Sequence, residues 1–267
     1  MVKDRALKLA EEALQGLVSS LEAGHSDTLK AYLAAMARFH TYSFQNSILI
    51  FFQRPAATQV AGFGKWKEMG RHVKKGEKGI AILAPVLYKA KLKAEVDEQD
   101  EQELRNKAVG FMTAYVFDVA QTEGDELPKF ATIGGQPGWY KSRIRGLIQA
   151  HGIDLEYAED LGGANGLSSG GKILILEGMP AAQEFAVLVH ELAHELMHKG
   201  ERRQDISKAL RETEAEAVSF VVCSAIGLET GTAFSDYIQL WQGDAKLLSQ
   251  SLALVQQTAA NILCSIK

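Results

Sequence analysis

The segment 181–199 constrains the fold more than any other part of the chain. It contains neither Gly nor Pro, and Pro180 precedes it, as suits the start of a helix. Its apolar side chains repeat at 4-3-4 spacing, the pattern of a helix with one buried face: Phe185, Val189, Leu192 and Leu196. His190 and His194 lie one turn apart on another face. We predict a core helix that presents two imidazoles side by side; the alternative is a buried helix with incidental histidines.

Residues 190–194 read His-Glu-Leu-Ala-His, which is the HExxH pattern. Two imidazoles one turn apart can hold one Zn²⁺ ion, and Glu191 can take a proton from a water on that ion. The pattern therefore predicts hydrolysis of an amide bond, with Zn²⁺ as the cofactor. A donor for the tetrahedral oxyanion is also needed. Tyr237 and His198 are the candidates, and the sequence does not choose between them.

A zinc site of this kind needs a third protein ligand. The extended pattern HExxHxxGxxH is excluded, because the chain has Met197 and Gly200 where Gly and His would be required. A Glu from a second helix remains, and Glu212 is the predicted ligand. Glu216 is one turn further on the same face, which suits an acceptor for an imidazole N–H. Glu214 is the fallback ligand, and the alternative for all three is a solvated charged helix face.

Composition and charge limit the class of protein. The chain has 267 residues and a net charge of −4. Residues 1–94 hold 15 Lys and Arg against 7 Asp and Glu, whereas residues 95–267 hold 14 against 26. No apolar run reaches the ~18 residues of a membrane span, and we expect no membrane partner. Without a signal-like N-terminal segment and with two cysteines, predicted to be buried thiols, the chain is predicted to be cytoplasmic.

Local patterns predict an α+β chain in two parts: an α/β module comes first, and a mostly helical part with a small sheet follows. We place the domains at 1–125 and 126–267, with a Gly- and Pro-containing linker at 121–138. The predicted helices cover 3–24, 26–40, 44–52, 61–70, 139–152, 180–199, 205–226, 233–242 and 244–265. The predicted strands cover 79–83, 86–93, 109–119, 153–157 and 173–176. The acidic run 95–103 is predicted to be a hairpin tip. The Gly-rich segment 162–172 is predicted to be a hairpin before an edge strand, 173–176, to which a peptide can add.

Cations and aromatic residues alternate in the first part of the chain. Six Lys or Arg lie between Lys65 and Lys78. Cations neutralise phosphates and aromatic rings stack on unpaired bases, so this pattern favours single-stranded nucleic acid. The candidate contacts are Tyr42, Asn46, Trp66, Lys67, Arg71, Lys74, Lys75 and Lys78. The alternatives are aromatic residues in the core and a merely solvated basic surface.

Three blocks in this part carry a family resemblance: FHTYSFQNSILI (39–50), PAATQVAGFGKW (55–66) and GRHVKKGEKGIAILAP (70–85). They resemble the N-terminal module of ArdC-type antirestriction proteins, which binds single-stranded DNA. The segment 190–216 is similar to ImmA/IrrE-type and ArdC-type zinc metallopeptidases with a zincin-like fold. The resemblance implies His190, His194 and Glu212 as metal ligands and Glu191 as the catalytic residue. Glu216 stands where many of these peptidases have Asp or Asn.

Three functions fit these patterns. The favoured one is a zinc-dependent metallopeptidase coupled to a single-stranded-DNA-binding module, of antirestriction or mobile-element origin, with DNA and a protein or peptide as partners. The alternative is a DNA-binding antirestriction protein with a structural or vestigial zinc site. A third is a regulator that cleaves a repressor and whose first module binds protein.

Overall fold

The computed structural model describes residues 3–23, 26–87, 108–125, 136–200, 202–228 and 245–267. Helices and strands are mixed along the chain, in agreement with the α+β prediction at that level. The helices are α1 (Lys3–Glu22), α2 (Ser26–Arg38), α3 (Phe44–Gln53), α4 (Phe63–Glu68), α5 (Tyr140–Ala150), α6 (Ala181–Met197), α7 (Arg202–Asp205), α8 (Lys208–Ala225) and α9 (Ala245–Ile266). The strands are β1 (Val60–Gly62), β2 (Arg71–Val73), β3 (Ile80–Leu87), β4 (Ala108–Asp118), β5 (Thr122–Gly124), β6 (Asp154–Ala158), β7 (Gly166–Ser168) and β8 (Lys172–Leu176).

The chain divides into two compact units. The first unit comprises Met1–Ala13 and Ile48–Leu127, and the second comprises Leu14–Ser47 and Pro128–Lys267. The break after residue 127 lies close to the boundary that the sequence suggested, but the second unit also includes 14–47. The reason is that α2 packs against α8, and the Gln256 amide of α9 donates to the Phe39 and Tyr42 carbonyls.

The first unit contains two small antiparallel sheets. One has the strand order β1-β4-β3, and the other pairs β2 with β5. The predicted linker was wrong at its start, because Thr122–Gly124 pair with Arg71–Val73 as a strand. The predicted hairpin tip, 95–103, lies outside the described residues.

Polar side chains connect the elements of the first unit. The buried Trp66 indole N–H donates to the Phe117 carbonyl at 2.9 Å, which ties α4 to β4. The buried Asp118 carboxylate accepts from the backbone N–H of Thr58, at 2.8 Å, and of Ala120. The Gln53 amide donates to the Ala81 carbonyl and accepts from the Ala81 N–H, both at 2.9 Å, like a neighbouring strand. Each bond satisfies a polar group that burial would otherwise leave unpaired.

The sheet of the second unit has the order β6-β8-β7. The predicted hairpin in the Gly-rich segment 162–172 is confirmed, since β7 lies within that segment and pairs antiparallel with β8. The prediction that 173–176 is an edge strand was wrong: β8 pairs with β6 in parallel on its other side, and Ile173 and Ile175 are fully buried. The edge strands of this sheet are β6 and β7, one on each side of β8.

Helix α6 packs against α8 and against β7 and β8. Three residues of its predicted apolar stripe, Phe185, Val189 and Leu192, are fully buried, and Leu196 is partly buried. Near its start, the Glu184 carboxylate meets the Lys141 ammonium at 2.5 Å, the Arg145 guanidinium at 2.6 Å and the Tyr157 hydroxyl at 2.9 Å. Near its end, the buried Glu195 carboxylate accepts from two backbone N–H groups at the β7–β8 turn, residues 170–171, at 2.8 and 2.7 Å. Helix α6 is therefore tied to both α5 and the hairpin.

The cysteines differ in environment. Cys223 is fully buried on α8, and burial raises the pKa of its thiol to about 12. Cys264 is exposed on α9, so the prediction of a buried thiol was wrong there, because the side chain faces away from the α9 core stripe. The predicted helix 233–242 lies outside the described residues. Among the helices described, none combines the length and the apolar character that crossing a bilayer requires.

A candidate metal centre between two helices

The candidate site lies where α6 and α8 pack against one another. Helix α8 begins after Ser207, whose hydroxyl oxygen accepts from the Leu210 N–H at 3.1 Å and so caps the first turn. This start places Glu212 opposite His190 and His194 and places Glu216 one turn further along. Two regular helices thus fix all four side chains.

Three donor atoms converge at this point. The Nε2 atoms of His190 and His194 lie 3.1 Å apart, and Oε2 of Glu212 lies 3.3 Å from each. Ligand atoms at roughly 2.0–2.1 Å from a tetrahedral ion lie roughly 3.3 Å from one another. The triangle therefore fits a divalent ion, and two imidazoles with one carboxylate form a donor set that Zn²⁺ accepts. Close side-chain contacts with the His190 and then the His194 imidazole hold the pKa of Glu212 well below its usual range.

His190 has a carboxylate on each side. Its Nδ1 lies 3.3 Å from Oε2 of Glu216, which is the position that the sequence suggested for an imidazole acceptor. Burial disfavours the charged ring, but hydrogen bonds to Glu212 and Glu216 outweigh it and raise the pKa of His190 to about 9. A metal ion at Nε2 has to displace a proton there.

Glu191 follows His190 on α6, and its side chain lies against Gly166 of β7. Its side chain is buried, and it is bonded to the Ser168 side chain. A Cβ at Gly166 would lie 2.8 Å from Glu191 Oε1 and 2.6 Å from Val187 Cγ1, so any larger residue at this position of β7 requires these side chains to move. Burial raises the pKa of Glu191, although the neighbouring histidines oppose the shift.

A cavity of about 480 Å³ opens at Glu191, His194 and Glu212. Residues 164 and 166–168, which include β7, line it on one side. Three cations also line it: Arg203, Lys208 and Arg211. This basic wall attracts anionic groups.

Two other predicted residues are placed differently from the roles suggested for them. His198 is fully buried, and its two ring nitrogens face His194 and Glu214, so neither is free for a substrate oxyanion. Glu214 is buried too and bonds to His198, Arg202 and Ser251, so it is neither a ligand nor part of a solvated face. Hydrogen bonds from these partners lower the pKa of Glu214 against the opposing effect of burial. Tyr237 lies outside the described residues.

The candidate nucleic-acid contacts also separate into two groups. Trp66 is 2 % exposed and Asn46 is 8 % exposed, so neither ring nor amide is available to a base, which corrects the prediction. Tyr42, like Asn46, belongs to the second unit. Arg71 is half-buried and braces β5, because its Nε donates to Thr122 Oγ1 at 2.8 Å.

The lysines of this segment are exposed: Lys67, Lys74, Lys75 and Lys78. Of these, Lys74 donates to the Ala120 carbonyl at 3.0 Å. The sequence did not single out the exposed aromatic side chains of the first unit, which include Phe63 at 59 % and Tyr115 at 46 %. Spacing along the sequence does not separate the exposed Phe63 from the buried Trp66.

The fold and the site define an α+β protein with a candidate metal centre carried by two helices. Residues 7–117 match the family model of the N-terminal domain of anti-restriction factor ArdC. The fold is similar to two crystal structures of the antirestriction ArdC protein from plasmid R388. The metal-free form gives a TM-score of 0.58 and the Mn(II)-bound form 0.57, each at 19% identity and covering 96% of this chain and 97% of that chain. The chain is therefore similar to ArdC over residues 7–117 in sequence and over most of its length in fold.

A curated relative from Bacillus anthracis, with the name uncharacterized protein pXO2-81, is 27% identical over 272 residues. The match covers 86% of this chain and 46% of the relative. The chain thus spans about half the length of that protein.

Sequence reasoning missed two kinds of residue at the site and gave a third residue, His198, a different role. Gly166 and Ser168 contact Glu191 from a strand of three residues, which is too short to show a period. Arg203 comes from the short helix α7, and Lys208 is the first residue of α8. His198 did carry a signal, because His190, His194 and His198 repeat at i, i+4 and so stand on one face of α6.

Proposed function

We propose that this chain is an antirestriction protein of the ArdC type that binds single-stranded DNA through its first unit and holds a divalent metal ion in its second. The match of residues 7–117 to the ArdC N-terminal domain carries the DNA-binding part. The exposed lysines between 67 and 78 lie inside that match and supply the cations that phosphates need. The donor triangle supports the metal part, with Zn²⁺ as the expected ion.

The DNA-binding part is tested by titrating a fluorescent oligothymidylate at several salt concentrations. Lysines that contact phosphates contribute about 0.7 each to the log–log salt slope for single strands. The double variant Lys75→Gln/Lys78→Gln should therefore bind more weakly and lower the slope by about 1 to 1.5. The matched control is Lys8→Gln/Lys30→Gln, which removes the same charge from exposed helical positions. Equal slopes for the two double variants would show that the 67–78 segment is only a solvated surface.

The metal part is tested by metal analysis of the purified protein. We expect about one zinc per chain in the wild type, as a single site requires, and loss of that zinc in His190→Ala and in Glu212→Ala. Glu177→Ala is the control, because Glu177 is an exposed acid of the second unit away from the site. Zinc retained by both ligand variants would refute the assigned ligand set.

A second candidate function is hydrolysis of a peptide bond, and the placement of Glu191 favours it. A divalent ion bound by His190, His194 and Glu212 would polarise a carbonyl and lower the pKa of a water. Glu191 stands at the same cavity, buried and with a raised pKa, as a general base near neutral pH requires. It would accept the proton of the attacking water and pass it to the leaving amine. The edge strand β7 offers its backbone to an extended peptide.

One pair of variants separates the two functions in an assay of DNA protection against a restriction enzyme in cells. Glu191→Gln keeps the ligands and removes the base, whereas Lys75→Gln/Lys78→Gln weakens DNA binding. Protection that survives Glu191→Gln and fails in the lysine variant indicates binding without turnover. Protection lost in Glu191→Gln, with zinc still bound, indicates that hydrolysis is required.

A further inference from the structure

A second set of buried polar groups lies behind the donor triangle. Nδ1 of His194 lies 2.9 Å from Nδ1 of His198, and Nε2 of His198 lies 2.9 Å from Oε2 of Glu214. Neither the His198 nor the Glu214 side chain is exposed. The three residues form a continuous chain of hydrogen bonds that ends at a candidate ligand. The proposed function uses neither His198 nor Glu214.

The protons in this chain can be assigned from the donors around Glu214. Its carboxylate accepts from Arg202 at 2.8 and 3.1 Å and from the Ser251 hydroxyl at 2.6 Å. An ionised carboxylate accepts only, so Nε2 of His198 must carry a hydrogen and donate it. A neutral ring has one N–H, and Nδ1 of His198 is then an acceptor.

The same reasoning fixes His194. One hydrogen lies between two Nδ1 atoms at 2.9 Å, and His198 does not supply it, so His194 does. The lone pair of neutral His194 is then on Nε2, the atom that faces His190 Nε2 and Glu212 Oε2. A ring with the opposite tautomer would present an N–H to the triangle and could not bind an ion.

We infer that Glu214 and His198 are positioning residues of the metal centre, which hold His194 with Nε2 free of hydrogen and aimed at the ion. Ligand histidines commonly donate their second N–H directly to a carboxylate or a carbonyl. Here a histidine is inserted between the ligand and the carboxylate, and the carboxylate is anchored to α7 by Arg202 and to α9 by Ser251. The inference rests on the proposed metal centre.

The competing explanation is that this network only stabilises the fold. Three substitutions separate the two. His198→Phe removes the acceptor for the His194 N–H. His198→Asn places an amide oxygen near the position of the lost Nδ1 and restores that acceptor. Ser251→Ala removes one donor to Glu214 and leaves the His194–His198 contact intact.

The measurements are zinc affinity by competition with a chromophoric chelator, unfolding of the metal-free protein in urea, and the ring tautomers by long-range ¹H–¹⁵N spectra. We expect His198→Phe to bind zinc about 10- to 100-fold more weakly, as loss of such a partner does elsewhere. His198→Asn should recover most of the affinity. Ser251→Ala should lower stability and keep the affinity. The spectra of the wild type should show Nδ1–H at His194 and Nε2–H at His198.

The results that would overturn the inference are specific. Wild-type affinity in His198→Phe, or an Asn variant as weak as the Phe variant, would show that the acceptor is irrelevant. If His198→Phe does not fold, the tautomers of the wild type and the affinity of His198→Asn still decide, and Nε2–H at His194 overturns the assignment. Absence of zinc binding by the wild type would instead remove the proposed metal centre, and the inference with it.

Discussion

Gly166 is the position where the packing around Glu191 can be tested most directly. A methyl group added there would lie 2.6 Å from Val187 Cγ1, 2.8 Å from Glu191 Oε1 and 2.9 Å from Glu191 Cγ. Carbon atoms in good contact are about 3.5–4.0 Å apart. In Gly166→Ala, therefore, β7 and α6 must separate by about 1 Å, or both side chains must leave their positions.

The expected cost follows from these overlaps. Overpacking in a well-packed region costs about 1–3 kcal/mol, against which alanine gains about 0.4–1 kcal/mol by restricting the unfolded chain. We expect a net loss of about 1–2 kcal/mol in urea unfolding, and a melting temperature lower by about 2–8 °C. The matched control is Gly146→Ala in α5, where an added Cβ meets no atom within 4 Å. That variant should be as stable as the wild type or up to about 1 kcal/mol more stable.

Two outcomes would refute this reasoning. Equal stability of Gly166→Ala and Gly146→Ala would show that β7 and α6 do not pack as described. The second outcome is a destabilised Gly166→Ala variant whose peptidase rate equals that of the wild type. It would show that the position of Glu191 does not matter for turnover.

Three further predictions concern other contacts. The Glu184 pKa is lowered, because hydrogen bonds from its cationic and hydroxyl partners outweigh the opposing effect of burial, so ionised Glu184 stabilises the fold at neutral pH. This stabilisation is lost as the pH falls from about 4.3 through the lowered pKa. The free energy of unfolding should therefore decrease less with falling pH in Glu184→Gln than in the wild type. Glu195→Ala leaves the N–H groups of residues 170–171 to water, and the free energy of unfolding in urea should fall by about 1–2 kcal/mol. An unchanged free energy of unfolding would show that Glu195 does not hold the β7–β8 turn. Phe63→Ala should weaken oligothymidylate binding by about 1–3 kcal/mol without altering the salt slope, and unchanged affinity would exclude stacking there.

The parts of the site that regular helices carry could be predicted from the sequence. The one-turn spacing of His190 and His194 and that of Glu212 and Glu216 are fixed by helix geometry, so the convergence of four side chains needed only two helices packed face to face. Their metal-binding role stays a prediction. The sequence suggested His198 as an oxyanion donor, whereas its ring nitrogens contact His194, one turn away, and Glu214.

Elements held by tertiary contacts were harder to predict. Strands β2 and β5 have three residues each; they pair with each other, and the Arg71 side chain also donates to the Thr122 hydroxyl across the pair. A tryptophan is a residue type that can stack on bases, but the Trp66 indole N–H donates to the Phe117 carbonyl on β4 and its ring is part of the core. The packing of residues 14–47 with the rest of the second unit depends on contacts between residues far apart in sequence, which no local pattern contains.

The two thiols offer a way to follow helix α8 in solution. Cys264 is exposed and reacts with an alkylating reagent directly, whereas Cys223 is fully enclosed on the helix that carries Glu212. Alkylation of Cys223 therefore requires the helix to leave its neighbours, and its rate reports how often that opening occurs. Each molecule thus carries an internal reference thiol and a thiol that is sensitive to opening, and mass spectrometry can read both in one sample, with zinc and with a chelator.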